Sequence, residues 1–96
     1  MDINGLVIAF ADKYTSAKTS AKIFQQQGKV RLAEKQEELS ELHLDSIAMV
    51  IAALKYNHWT NIYNLRDRIA AREVTKEILQ NKEGFDLQKF LLEKKF

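Results

Sequence analysis

Apolar and small residues at the start of the chain fall at Ile3, Val7, Phe10, Tyr14, Ala17, Ala21, Phe24 and Gly28, in alternating steps of four and three. That spacing keeps them on one face of a helix and predicts a long, heptad-patterned N-terminal helix. Asp2 or Asn4 can cap its start. The middle of the seam is small, at Ala17, Ala21 and Gly28, so a facing helix can approach closely while Phe10, Tyr14 and Phe24 fill space on either side. We therefore take Val7, Phe10, Tyr14, Ala17, Ala21, Phe24 and Gly28 as a candidate oligomer seam. After Gly28 the pattern resumes at Leu32, Leu39 and Leu42, shifted by a stutter of four residues. Either Gly28 ends the helix at a C′ position or one helix of about 40 residues runs through it. The continuous helix is favoured, because residues 28–30 lack the polar turn residues that a reversal normally wants.

Further along, residues 43–45 read as a reversal, with Asp45 as N-cap and Leu44 stapling against Met49. The next helix is the core helix and buries Ile47, Val50, Ile51 and Leu54. At residues 56–61 the character turns polar around Trp59, and the helix either breaks there, with Thr60 or Asn61 capping a new one, or passes through. Ile62, Leu65, Ile69, Val74, Ile78 and Leu79 mark another amphipathic helix. Residues 81–84 are a stop signal, and Asp86 caps a short last helix docked by Leu87, Phe90, Leu91 and Phe96, with Phe85 stapling against Phe90. The fold class is all-α: a helical hairpin or bundle in one domain over 1–96, with a long N-terminal helix and a short C-terminal one.

Composition agrees with helix: Pro is absent, and Gly occurs three times in 96 residues. A chain of this size buries only about 60–65% of its unfolded surface, so its core is thin and self-association is expected. Fifteen basic and 13 acidic residues leave a net charge of +2, too little for a field that steers the protein to nucleic acid or an anionic membrane. With no Cys, disulfides and thiolate metal sites are excluded. The opening residues have acidic Asp2 and no basic region, unlike a signal peptide, and no apolar run reaches the roughly 18 residues of a membrane span. A cytoplasmic protein that does not enter the membrane is expected.

Three candidate chemistries remain. Tyr56, His58, Trp59 and Tyr63, followed by Arg66, Arg68, Arg72 and Lys76, combine aromatic anchors with cations, the make-up of a protein-binding hot spot. The preferred expectation is a non-enzymatic protein–protein interaction module, an accessory subunit or protein inhibitor. It would have no cofactor and no metal, and would associate with itself through helix packing or dock a partner protein. The same cations could neutralise phosphates while Tyr63 or Trp59 stack on bases. Nucleic acid is nevertheless not favoured, since residues 66–82 hold five basic and three acidic residues and no recognition module is present. Finally, Glu38 and Glu41 form E-x-x-E, and Asn64 and Asp67 form N-x-x-D on a later helix. This resembles the E-x-x-E and E-x-x-D constellation of the all-α nucleotide pyrophosphohydrolases, which implies carboxylates on facing helices holding magnesium for nucleotide hydrolysis. Asn64 stands where that pattern has a carboxylate, and the reading ranks third.

Overall fold

In the computed structural model, which describes residues 2–59 and 62–94, the described residues form four helices and no strand. These are α1 (Ile3–Gln26), α2 (Val30–Tyr56), α3 (Leu65–Gln80) and α4 (Leu87–Lys94). The all-α hairpin or bundle is thus the fold. Helix α1 is capped by Asp2, whose carboxylate accepts from the amides of Asn4 at 2.9 Å and Gly5 at 3.4 Å. Asn4 instead reaches across the bundle and accepts from the Leu87 amide at 2.8 Å, tying the start of α4 to the start of α1.

The favoured continuous helix through Gly28 is not formed. Gly28 has φ +75°, and the amides of Lys29 and Gly28 donate to the carbonyls of Phe24 at 2.8 Å and Gln25 at 3.0 Å. This six-to-one and five-to-two pair is a Schellman closure, which needs a left-handed residue at C′ and no polar turn side chain. The chain reverses there, and α2 folds back along α1. As a consequence Val7, Ala17 and Ala21 are buried within the chain, while Phe10, Tyr14 and Phe24 are half-buried. The seam offered for pairing between copies is closed by the chain's own α2, and Gly28 lies in the turn.

The expected reversal at residues 43–45 is also absent, since α2 runs straight through. Leu44 is fully buried in the core rather than stapled to Met49, and Asp45 faces Arg68 rather than capping a helix. No Gly or Pro interrupts this segment, so continuous helix satisfies every backbone group while its buried row continues. The helix does end at residues 56–57: Asn57 takes a left-handed conformation at φ 59°, and the His58 amide donates to the Ala53 carbonyl at 3.1 Å. Thr60 and Asn61, the caps considered for the next helix, lie outside the described residues. The observed N-cap of α3 is Asn64.

The core gathers Val7 and Ala11 of α1, Leu44, Ile47, Ala48 and Ile51 of α2, Ala70, Ala71, Val74 and Ile78 of α3, and Leu87 and Phe90 of α4. The expected face of α3 is corrected: Val74 and Ile78 are buried, but Leu65, Ile69 and Leu79 on the helix, and Ile62 before it, are exposed. Its inner row, Ala70, Ala71, Val74 and Ile78, is mostly small, and the larger Leu65, Ile69 and Leu79 stay exposed. Helix α4 behaves as expected, with Asp86 accepting from the Lys89 amide at 3.3 Å and the rings of Phe85 and Phe90 6.0 Å apart. Phe96 lies outside the described residues. No helix among the described residues is long and apolar enough to cross a membrane.

Candidate functional site

The start of α1, the end of α2 and α4 meet at one end of the bundle, where two clefts share Leu54. The first, about 250 Å³, is lined by Ile3, Val50, Ala53, Asn57, His58 and Trp59 besides Leu54. The second, about 460 Å³, lies against Lys55, Gln88, Leu91 and Leu92. Apolar side chains of these clefts stand in water, Trp59 being 69% exposed and Leu92 80%; Ile62 at 74% and Leu65 at 76% are exposed on the segment that leads into α3. Left-handed Asn57 turns the backbone so that His58 and Trp59 continue over the helix end instead of along it. Tyr56 is exposed beside them, and Nδ1 of His58 lies 2.9 Å from the Tyr56 carbonyl, which can only accept, so that nitrogen is the donor.

The remaining candidate residues do not join this end. Tyr63 is half-buried against the core, and its phenol is directed at Asp45. Hydrogen bonding to the Asp45 carboxylate holds Tyr63 above the usual phenol range; burial adds to the rise and Arg68 opposes it. Arg68 is drawn between α3 and α2, pairing with Glu41 and placing Nη1 2.7 Å from Asp45 Oδ1. Its Nε is buried without an acceptor among the described residues, so this contact is a charge pairing more than a set of aligned hydrogen bonds. Arg72 is half-exposed at 3.8 Å from the same Glu41, and Lys76 lies on the surface 3.5 Å from Glu73. Arg66 is exposed. Arg68, Arg72 and Lys76 thus face carboxylates of α2 and α3.

Two carboxylates of the magnesium reading, Glu41 and Asp67, are likewise engaged in structure. Asp67 is fully buried: Oδ2 accepts from the Asn64 amide at 3.1 Å, and Oδ1 accepts from Lys55 Nζ at 2.8 Å. Asn64 Oδ1 accepts in return from the Asp67 amide at 2.9 Å, completing a capping box. Asn64 and Asp67 therefore start a helix and brace it on α2. Glu38 is exposed, and no group of three His, Asp or Glu among the described residues is placed to hold a metal ion.

No protein-family model matches the chain, and comparison with curated proteins and with solved structures returns no match.

The sequence pattern missed Leu92 and the outward placement of Ile62 and Leu65. A signal for Leu92 was present: Leu87, Phe90 and Leu91 make one inward stripe, and Leu92 falls about 100° off it. For Leu65 the signal was the row Ala70, Ala71, Val74 and Ile78, whose small members carry little weight in a pattern scored by size.

Proposed function

We propose that the protein is a small non-enzymatic interaction module, an accessory subunit or inhibitor acting in the cytoplasm, which docks an apolar helix of a partner protein on the end formed by α1, α2 and α4. The observation that carries this reading is the exposed Trp59 and Leu92 on adjoining clefts lined by Ile3, Val50, Leu54 and Leu91. Aromatic and aliphatic anchors beside concave apolar surface are what a binding hot spot needs, and each large side chain covered by a partner stabilises the complex by about 1.5–3 kcal/mol.

The test compares capture from native lysate by wild type with capture by Trp59→Glu and Leu92→Glu. Both residues are exposed, so the variants should fold with unchanged helical content. A protein retained by wild type and lost from both variants supports the reading. A partner held equally by all three, or none recovered, removes it.

A further inference from the structure

The net charge of +2 is divided unevenly along the chain. Residues 22–35 hold four basic residues, Lys22, Lys29, Arg31 and Lys35, against one acidic residue, Glu34, a local charge of +3, so the rest of the chain carries −1. All four cations lie within about 9 Å of the turn at Gly28, measured along α1 or α2. All four are exposed, and among the described residues none of them is in an ion pair, whereas Lys18 one turn earlier is taken up by Glu37. Aliphatic side chains stand between them: Ile23 is 46% exposed, Val30 62% and Leu32 44%. The turn is also set apart from the body of the protein. The main core reaches Ala11 on α1, with Tyr14 packed against it, and resumes at Leu44 on α2. Beyond those points the buried residues are small, Ala17, Ala21, Ala33 and Ser40, and belong to the hairpin alone. Residues 15–26 and 30–40 thus form a two-helix arm about 17 Å long, with the basic turn at its end.

We infer that the end of this arm is a contact site for an anionic lipid surface, where the four cations meet headgroup phosphates and carboxylates while Ile23, Val30 and Leu32 enter the headgroup layer. The charge complementarity is local: four clustered cations are about the number at which an anionic leaflet retains a basic segment, whatever the net charge of the whole protein. The aliphatic side chains set among them favour lipid over nucleic acid. A phosphate backbone rewards cations and flat rings, and beside it Val30 and Leu32 would stay in water. In a lipid headgroup layer the same side chains leave water, and the apolar and electrostatic contributions act together. A helix reversal is convex, which fits a flat, deformable surface and not a peptide segment that needs a groove. The inference does not rest on the docking reading, because the clefts with Trp59 and Leu92 lie at the opposite end of the α1–α2 hairpin.

Co-sedimentation of the full chain with vesicles tests this, comparing phosphatidylcholine alone with a mixture of phosphatidylcholine and phosphatidylserine. Wild type should pellet with the mixed vesicles and not with the neutral ones, and should be released as salt rises toward about 1 M. The double variant Lys29→Glu, Arg31→Glu should partition at least about 30-fold more weakly, with unchanged far-UV circular dichroism. Fluorescence gives a second, independent readout. Trp59 is the only Trp and lies at the far end, so its emission should not move when vesicles bind. Val30→Trp in a Trp59→Phe background should shift to the blue on the mixed vesicles. No binding, equal binding to neutral vesicles, or full retention by the double glutamate variant overturns the inference. An unshifted Val30→Trp emission on vesicle-bound protein overturns it as well. So does capture of duplex DNA or RNA by a chain that ignores anionic vesicles, which would assign the cations to a phosphate backbone.

Discussion

Gly28 shows how one residue can fix the course of the chain. A Cβ built there meets nothing within 4 Å, so the position is not constrained by packing. Its constraint is the backbone, held at φ +75° by two closing hydrogen bonds. Gly28→Ala should therefore lower stability by about 1–2 kcal/mol, the cost of left-handed backbone for a residue with a Cβ. Urea unfolding should show this as a lower midpoint at unchanged slope; an unchanged midpoint would mean that the turn does not need its glycine. The glycine was visible in the sequence as a C′ candidate. The absence of polar turn residues argued the other way, although a Schellman turn is closed by main-chain groups alone.

At the scale of the element, α3 is held by how it is started and braced as well as by its own apolar residues. Its inner row of Ala70, Ala71, Val74 and Ile78 is modest in area, while buried Asp67 closes the capping box with Asn64 and takes Lys55 from α2. Asp67→Ala removes a cap and leaves the ammonium of Lys55 without its carboxylate, and should destabilise by about 3 kcal/mol. A loss of only a few tenths of a kcal/mol in a denaturant titration would show the brace to be incidental. The N-x-x-D of the magnesium resemblance falls on the same residues, and N-x-x-D at a helix start is also the spacing of a capping box. One-dimensional spacing does not distinguish a carboxylate facing a metal from one facing a backbone amide.

Over the whole molecule, three titrating groups contribute to the pH dependence of the fold. His43, half-buried 6.4 Å from the Phe10 ring, is held below its usual pKa by burial, with Lys13 adding to the effect. A depressed value means that the fold favours the neutral ring, so its stabilising contribution is present above about pH 6.5 and is lost as pH falls through the folded value. Tyr63 is raised by hydrogen bonding to Asp45, and Lys18 by its hydrogen bond to Glu37. Their contributions are present below the unfolded values near pH 10 and are lost as pH rises through the folded ones. Thermal unfolding should thus be most resistant between about pH 7 and 10, and His43→Gln should flatten the acid side. An acid side equally steep in that variant would assign the loss to the carboxylates instead.

The sequence by itself determined the helical class, the α1 seam, the core row of Ile47, Val50 and Ile51, and the capped C-terminal helix with its Phe85 to Phe90 contact. These follow from short-range periodicity and capping chemistry, which are complete within a few residues of chain. Only the tertiary structure decided that the α1 seam closes on α2, that α2 passes straight through residues 43–45, and that Arg68 turns inward while Trp59, Leu65 and Leu92 remain in water. Those outcomes depend on which helix faces are covered once α2 folds back at Gly28. Periodicity shows that a face is apolar; what covers it is fixed by contacts between residues far apart in the chain.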